Sequence, residues 1–395
     1  MNNLCIFSQS FVRICSTLVV MLWLGALSVG AATYYVATNG NHTTYTDWAS
    51  AATNIQAAVT STTINANDIV LVSNGVYTAS VGPIVNVTNA TITLKSVNGP
   101  DVTIIDGGSV TQCVWLSTNS TLDGFTVRNG KVAAYGGGIR LANGTVTNCL
   151  IYNNLGNSSG GGIGIFNAYG YIFNCMIYSN TSKSYGGGMY AATWTQSGHN
   201  DSMIKNCVFF GNKCEAGSGG GLNSASAYLT IRNCLFYRND SYGSGGGASV
   251  SANDGYDANF ENCMITANTA SNTGGGFYTI DITHPVRNSI IWNNSATNCA
   301  DVSALSNNLT KCCIGNTNGV PNWNTSGNIT NNPQFIDAAN NNYRLLGSSP
   351  CINTGTNQSW MTNGIDLDGQ TRIRYGTVDM GAYEKIYEGT IYKFH

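Results

Sequence analysis

Hydrophobic and polar residues alternate in short runs through the middle of this chain, and each run begins at a group of glycines. Residues 139–141, 163–165 and 189–191 are three such runs. A period of two is typical of a β-strand that is buried on one face. Between these runs the sequence has no helical period of ten or more residues. The pattern therefore predicts a chain made mainly of short strands.

The same sequence unit returns six times, at intervals of 24 to 33 residues. Each unit joins a triple glycine to an Asn-Cys pair, which two apolar residues and a closing Asn follow. The triple glycines are residues 136–138, 160–162, 186–188, 219–221, 245–247 and 274–276. The pairs start at Asn148, Asn174, Asn206, Asn233, Asn262 and Asn288, the last with Ser289 in place of Cys. A second strand is predicted before each pair, and a third from the Cys onward.

Three short strands in a repeat of this length indicate an all-β fold, a parallel β-helix in which each coil buries its inner face against its neighbours. Coils in such a stack rise about 4.8 Å each. The Asn before each Cys suits a tight left-handed corner, and stacked Asn side chains can hydrogen-bond from coil to coil. The triple glycine suits a second corner with positive φ.

The two ends of the chain depart from the repeat and are predicted to be caps. Residues 33–294 form the β-helix, within which 33–66 are the N-terminal cap and 136–294 the repeats. Trp48 to Val59 is the one stretch with an amphipathic helical pattern, and we expect it to close the N-terminal end. Residues 295–395 form an irregular C-terminal cap.

Residues 1–32 have the pattern of a secretory signal peptide. Arg13 precedes an apolar run, residues 14–29, and small residues permit cleavage near Ala31 or Ala32. The alternative is an uncleaved membrane anchor, although the run is shorter than the roughly 20 residues that a span needs. No later segment is apolar enough to cross a membrane. The localisation expected is secreted, at the cell surface or at the outer membrane.

The amino-acid composition limits the classes of binding partner that this chain can have. Only 9% of residues are charged, and the formal net charge is −2. Nucleic acid is therefore not expected as a partner, because it requires a basic surface. Thirteen cysteines would suggest disulfides in an exported chain, but five recur once per repeat as small buried residues. Candidates for pairing are Cys113, Cys214, Cys312, Cys313 and Cys351, and no zinc motif occurs.

The third strand of each repeat is apolar at alternate positions on both faces. An aromatic ladder, which Thr266 interrupts, follows its end: Tyr152, Tyr178, Phe210, Tyr237 and Trp292. A strand with two apolar faces is normally covered. We expect a segment of the C-terminal cap to cover it. The alternatives are a self-association surface and an aromatic platform that stacks on sugars.

Two long insertions map to one edge of the predicted helix, as binding loops do. They are residues 193–202 and 251–259, in coils two apart, on the order of 10 Å from one another along the axis. Their candidate ligand-binding residues are Trp194, His199, Asp201, Asp254, Tyr256 and Asp257. Aromatic rings beside carboxylates and an imidazole would suit a sugar or a calcium ion. The alternative is two solvated turns.

A second calcium candidate is the acidic turn with Asp366 and Asp368, which lacks the remaining ligands of a calcium loop. The competing interpretation makes Asp366, Asp368, Arg372 and Asp379 a hydrogen-bonded cap. No cofactor other than calcium is expected.

Three stretches carry a family resemblance. The opening, ATYYVATNGNHTTYTDWASAATNIQAAV with NDIVLVSNGVY, is similar to exported bacterial proteins of the pectin-lyase-like superfamily, whose fold is a right-handed parallel β-helix. The GGGI-type and IYNN, IYSN, FFGN and FYRN segments resemble the repeats of polymorphic outer-membrane proteins. The ending, SSPCINTGTN with GIDLDGQTRIRYGTVDMGAYE, resembles the choice-of-anchor Q domain. The resemblance implies fold, export and a carbohydrate link rather than an activity.

Three hypotheses for function remain. The first is a non-catalytic exported protein that contacts a polysaccharide or cell-surface glycan, or acts in adhesion. The second is a polysaccharide lyase or glycoside hydrolase acting on an acidic polysaccharide, which requires carboxylates that converge in a groove beside an Arg or Lys. The third is an envelope protein that assembles through the aromatic sheet face. The sequence contains no recognisable acid–base pair, so the first is favoured.

Overall fold

A computed structural model describes residues 30–61, 63–192, 202–251, 258–279, 285–304 and 308–387. From Ala31 onward the chain forms one compact unit, a parallel β-helix as predicted. None of the helices within the described ranges is long and apolar enough to span a membrane. The segment predicted as a signal peptide lies almost wholly outside the described residues.

Each coil contributes its third strand to a ten-stranded parallel sheet, the third-strand sheet. Its strands are Gly75–Tyr77, Thr103–Asp106, Thr126–Arg128, Leu150–Tyr152, Met176–Tyr178, Val208–Phe210, Leu235–Tyr237, Met264–Thr266, Ile290–Trp292 and Cys313–Ile314. Adjacent strands pair in register, so that Ile151 lies opposite Ile177 and Ile177 opposite Phe209. These three side chains point inward and are fully buried.

The first and second strands of the coils form an 18-stranded sheet. Its strands are Thr33–Val36, Ile69–Val72, Val85–Val87, Thr93–Ser96, Val114–Asp123, Ile139–Thr147, Ile163–Phe166, Gly170–Phe173, Met189–Ala192, Ser202–Lys205, Leu222–Ala225, Leu229–Arg232, Ala248–Ser251, Ala258–Glu261, Phe277–Thr279, Val286–Arg287, Val302–Ser303 and Leu309–Thr310.

A seven-stranded sheet that the sequence did not predict lies between the third strand and the next triple glycine. Most of its strands are only two residues long, which is too short to leave a periodic signal. They are Lys131–Val132, Leu155–Gly156, Thr181–Ser182, Lys213–Cys214, Asp240–Ser241, Thr269–Thr273 and Ser295–Asn298. An antiparallel pair, Phe335–Asp337 with Asn342–Leu345, belongs to the C-terminal region.

The corner before each Cys has the left-handed conformation that the sequence predicts. Asn148 and Asn174 both have φ of 53°, and the Asn residues of the later coils have φ between 49° and 55°. Their side chains hydrogen-bond along the stack; Nδ2 of Asn174 donates to Oδ1 of Asn148 at 3.3 Å. The first residue of every triple glycine also has positive φ, for example 71° at Gly136.

The closing Asn of each repeat lies inside the helix and forms a second, buried ladder. Nδ2 of Asn180 donates to Oδ1 of Asn212 at 3.0 Å and to the carbonyl of Ile151 at 2.9 Å. Oδ1 of Asn212 also accepts the backbone N–H of Asn180. The third glycine of each repeat packs against this ladder, and a Cβ on Gly162 would lie 2.9 Å from Nδ2 of Asn180. The ladder of six Asn residues ends where Asn294 donates to Asp301 at 2.8 Å.

The predicted N-terminal helix is shorter than expected. It spans Ile55–Val59, with Asn54 as its N-cap, and it buries Ile55, Ala58 and Val59 in the core. The predicted start at Trp48 is wrong, because Ala52 pairs its backbone with the first strand instead. A strand bridge at that position excludes helical hydrogen bonding.

The coils continue past residue 294, where the sequence predicted the cap to begin. One more coil follows, ending in the strand Cys313–Ile314. That coil has no triple glycine, and Lys311 replaces Asn at its left-handed corner with φ of 53°. The loss of both marker residues explains why the pattern did not reveal it. Val320 and the half-buried Trp323 then cover the open end of the core.

The chain after this end folds back along the outer face of the third-strand sheet at its later coils, so the expected cover by the cap is confirmed there, whereas Met176 of an earlier coil is exposed. Tyr343, Leu345 and Met380 pack on Leu235, Met264 and Ile290 of the sheet. Corner Asn side chains bind the cap as well; Nδ2 of Asn262 donates to the carbonyl of Asp379 at 3.0 Å, and Nδ2 of Asn288 to that of Thr356 at 2.9 Å.

The centre of the cap is a buried charge cluster. Arg372 is fully buried and lies 3.1 Å from a carboxylate oxygen of Glu384. It also donates to the carbonyl groups of Asp379 and Gly381. Burial, which outweighs the attraction of Arg372, raises the pKa of Glu384 from its ordinary 4.5 to about 8. Burial also raises the pKa values of Asp366 and Asp379.

We expect Asn180→Ala to be much more destabilising than Asn174→Ala in the same coil. Asn180→Ala leaves the carbonyl of Ile151 without its donor and breaks the buried ladder, at a cost on the order of 3 kcal/mol. Asn174 is exposed, and its replacement costs roughly 1 kcal/mol for the left-handed corner. Urea unfolding followed by circular dichroism measures both. Equal losses would show that the buried ladder is not a major source of stability.

Because of this buried charge cluster, we expect the free energy of unfolding of the cap to be larger in mild acid than at neutral pH. A carboxyl whose pKa is raised on folding adds stability below its unfolded pKa, and this is lost as pH rises through the folded pKa, here from about 4.5 to about 8 for Glu384. The melting temperature should fall over that window. Glu384→Gln mimics the neutral acid and should flatten the profile, whereas the exposed Asp101→Asn should leave it unchanged. A flat wild-type profile would contradict this account.

Candidate functional site

The six candidate residues of the two long loops lie outside the described residues. These are Trp194, His199, Asp201, Asp254, Tyr256 and Asp257. The strands that flank the loops are described, and each loop joins the first and second strands of its coil in the 18-stranded sheet. The paired strands place the two coils two apart, as the sequence indicated. The role of these residues in binding stays a prediction.

The aromatic ladder forms on the outer face of the third-strand sheet. Tyr152 and Tyr178 stack with ring centroids 4.8 Å apart and planes 19° apart. Tyr178 and Phe210 are separated by 4.6 Å and 4°, and Phe210 and Tyr237 by 5.0 Å and 10°. All four side chains are half-buried. In-register pairing of parallel strands places equivalent side chains one coil apart, which is close to the distance at which rings stack.

This stacking decides what the ladder can bind. Each inner ring has both faces against its neighbours, so the ring edges and hydroxyl groups are what the ladder presents to solvent. A sugar that packs on an aromatic ring needs a free face. The interpretation of the whole ladder as a stacking platform for sugars therefore does not fit Tyr178 and Phe210. At the N-terminal end, the guanidinium of Arg128 donates to the hydroxyl of Tyr152 at 3.3 Å.

Thr266 breaks the ladder, and a groove lies at the break. Thr266 occupies the register position between Tyr237 and Trp292, which are two coils and so roughly 10 Å apart. The cap inserts Tyr343 beside Tyr237, with ring centroids 5.6 Å apart, and Phe335 packs edge-on against Tyr343 at 5.4 Å. An open groove of about 460 Å³ lies between the cap and the sheet, and we name it the ladder-gap groove.

Ten residues line the ladder-gap groove: Thr266, Ala267, Trp292, Asn293, Asn332, Gln334, Phe335, Ala338, Tyr343 and Leu346. Among the described residues that line it, none is charged. Tyr343 is almost fully buried and forms the floor, while Trp292 and Phe335 are half-buried. Burial raises the pKa of Tyr343, so its phenol remains protonated near neutral pH.

The groove combines flat apolar surfaces with amide groups. Oδ1 of Asn332 accepts the backbone N–H of Gln334 at 2.8 Å, and Oε1 of Gln334 accepts from the hydroxyl of Ser348. These bonds orient both amides and leave their NH2 groups to donate to a ligand. A concave apolar surface with a few oriented polar groups is the usual form of a small-ligand site.

Of this groove the sequence identified only Trp292. The cap side chains were missed because nothing in the linear pattern shows which part of an irregular segment folds back on the sheet. The interruption at Thr266 was the available signal.

A second groove, of about 310 Å³, lies along the seven-stranded sheet and is charged. Its lining residues are Lys213, Cys214, Glu215, Asp240, Tyr242 and Ser271. Lys213 lies opposite Asp240 on the neighbouring coil. We name this the charged groove. The linear pattern did not indicate this groove, although alignment of the repeats at the residue after the closing Asn places Lys213 and Asp240 side by side.

The calcium candidates of the cap have other partners in the structure. Oδ1 of Asp366 accepts the backbone N–H groups of Asp368 and Gln370, and Oδ2 accepts that of Glu384 at 2.7 Å. Asp368 forms an ion pair with Arg344. Nowhere in the described part of the chain do three or more His, Cys, Asp or Glu side chains group in a way that could hold a metal ion. The hydrogen-bonded arrangement of the cap agrees with the competing interpretation of this turn.

Solved structures that resemble this chain share its fold. No protein-family model and no curated protein matches the chain. Among solved structures, pectate lyase Pel9A matches with a TM-score of 0.57 and 16% identity, covering 90% of this chain and 98% of its own. A rhamnogalacturonan lyase matches with a TM-score of 0.38 and 12% identity, covering 71% of this chain and 74% of its own. This chain therefore shares the parallel β-helix fold of a pectate lyase, and at such low identity the likeness extends to the fold alone.

Proposed function

We propose that this protein is an exported polysaccharide-binding protein without catalytic activity, and that it holds a sugar chain in the ladder-gap groove. The observation that carries the proposal is the break at Thr266. At this break a groove lies between Trp292 on the sheet and the rings of the cap. A sugar ring has one apolar face and a rim of hydroxyl groups. Aromatic faces and amides are the groups that complement these two parts.

The lack of charge in the groove favours a neutral sugar. A uronate carboxylate would lose its hydration on entry and would find no cation among the described lining residues, which is a costly arrangement. A neutral hydroxyl group can instead exchange its water for the amides of Asn293, Asn332 or Gln334. The proposed ligand is therefore a neutral polysaccharide, or a neutral segment of a mixed one, outside the cell.

A second candidate function, cleavage of an acidic polysaccharide, rests on the charged groove. Two carboxylate residues, Glu215 and Asp240, line this groove together with Lys213, as the enzyme hypothesis requires. Lyase chemistry requires a base to remove a proton next to the uronate carboxyl group and a cation to stabilise the charge that develops. The pectate lyase fold is consistent with this candidate but does not favour it over binding, since one fold serves many functions.

We expect Trp292→Ala to weaken retention on the preferred polysaccharide at least tenfold, about 1.4 kcal/mol, because it removes a wall of the groove. Retention is measured by native gel electrophoresis through neutral and acidic plant and algal polysaccharides, with and without calcium. The matched control is Tyr242→Ala, an exposed aromatic residue of the charged groove, which should leave retention unchanged. Binding of an uncharged chain should also be nearly insensitive to salt.

Incubation of the protein with the same polysaccharides tests the alternative functions. Unsaturated product or new reducing ends would contradict the non-catalytic proposal and would direct attention to Lys213. Retention that Tyr242→Ala abolishes and Trp292→Ala does not would move the binding site to the charged groove. If no polymer of the panel is retained and the protein instead self-associates with rising concentration, the envelope-assembly hypothesis replaces the proposal.

A further inference from the structure

The outer face of the third-strand sheet is covered at its later coils and open at earlier ones. One outward row of side chains runs in register through both parts: Leu150, Met176, Val208, Leu235, Met264 and Ile290. Leu235, Met264 and Ile290 are buried beneath the cap. Met176 is 39% exposed, and the side chains on either side of it in the row are half-buried. The edge of the cap therefore falls within a row of equivalent apolar positions.

The corner asparagines show the same division. Asn233, Asn262 and Asn288 are fully buried, and each donates an amide N–H to a carbonyl group of the cap. Asn148 and Asn174 are exposed. Among the described residues, Nδ2 of Asn174 donates only to Oδ1 of Asn148, so its second N–H has no acceptor, and no group donates to the backbone carbonyl of either residue. We name the uncovered positions the open strip: Asn148, Asn174, Asn206, Leu150, Met176 and Val208.

The cap shows how a chain docks on these repeat positions. The carbonyl of Asp379 accepts from Nδ2 of Asn262 at 3.0 Å, and two residues later the N–H of Gly381 donates to the carbonyl of Asn288 at 2.7 Å. Met380, between them, packs into the apolar row. Gly381 has φ of 94°, and a Cβ there would lie 3.0 Å from side chains of the row. An apolar residue followed by glycine thus joins two neighbouring coils through both its backbone and its side chain.

The coils repeat by translation, so the open strip offers the same groups at the same spacing, about 4.8 Å per coil. From Asn148 to Asn206 it spans two coils, close to the length of three extended residues. Its side chains are aliphatic, and the neighbouring rings of Tyr152 and Tyr178 are stacked on one another, which does not suit a sugar. The regular face of a second β-helix would not suit it either, because strand backbones are already paired within their own sheets.

We propose that the open strip binds an extended segment of another polypeptide. The partner pairs its backbone carbonyl and N–H groups with the corner asparagines and places an apolar residue, followed by glycine, against Met176. Burial of this exposed side chain adds to the backbone hydrogen bonds. Met176 lies three coils before Met264, which shares its strand with the Thr266 of the ladder-gap groove. Binding of the partner therefore does not depend on what that groove holds.

Methyl NMR of the full chain provides a direct assay. The chain has eight methionines, of which Met176 is exposed in the strip while Met264 and Met380 are buried beneath the cap. The probe is a synthetic peptide of residues 376–384, GTVDMGAYE. It is titrated into protein that is isotopically labelled at its methionine methyl groups, with the Met176 signal assigned from Met176→Leu. We expect a saturable shift of Met176, with a dissociation constant on the order of 1 mM because a short chain must be ordered.

Variants of the protein and of the peptide sharpen the test. Met176→Glu should raise the dissociation constant at least tenfold, measured from the broadening of the peptide's own signals. The matched control, Met203→Glu, changes a half-buried methionine on the outer face of the 18-stranded sheet and should leave binding unchanged. A peptide with Gly381→Val should not bind, since valine disfavours positive φ. The remaining methyl signals report whether each variant is folded.

Four results would overturn the proposal. The first is no shift of Met176 at peptide concentrations about tenfold above the expected dissociation constant. The second is a shift of Met264 or Met380 instead, which would place the peptide in competition with the cap. The third is a Met176 shift that follows protein concentration without peptide, which would make a second copy the occupant. The fourth is a Met176 shift that only an oligosaccharide produces.

Discussion

The buried amide ladder is the interaction on which the rest of this structure depends. Asn180 and its equivalents each hydrogen-bond to the coil before and the coil after. The amide must enter the interior close to a backbone corner, and the third glycine of the repeat provides the room, since a Cβ on Gly162 would lie against Asn180. Glycine and asparagine therefore fix each other's positions. Together they hold successive coils in register mainly through neutral side chains, in a chain of which only 9% of residues are charged.

The exact register of the coils also determines the outer face of the third-strand sheet. Side chains at one repeat position lie above one another, so an aromatic residue kept through four coils produces stacked rings whether or not the rings serve a ligand. The ladder-gap groove lies where the period is broken, at Thr266, and where a non-repetitive segment, the cap, lies against the break. The function that we propose depends on this departure from the repeat rather than on the repeat itself.

The sequence predicted the features that rest on local chemistry. Asn148 and Gly136 occupy the corners expected of them, and Cys149 is buried as expected. Non-local pairing was harder to predict. The helical pattern from Trp48 was overridden by a strand bridge at Ala52, and the last coil was hidden because Lys311 replaced the corner Asn. Cover of the aromatic face was predicted, but the side chains that provide it, such as Tyr343, were not, because an irregular segment carries no period to align. The long-loop residues, such as His199, stay a prediction.

In the function that we propose, the ladder-gap groove holds a neutral sugar chain. A crystal structure of the full chain with an oligosaccharide of the best-retained polysaccharide would locate that chain. We expect density for sugar rings between Trp292 and Phe335, above Tyr343, with hydroxyl groups within hydrogen-bond distance of Asn332 or Gln334. Sugar bound in the charged groove beside Lys213, or along the edges of the aromatic ladder with the ladder-gap groove empty, would contradict it.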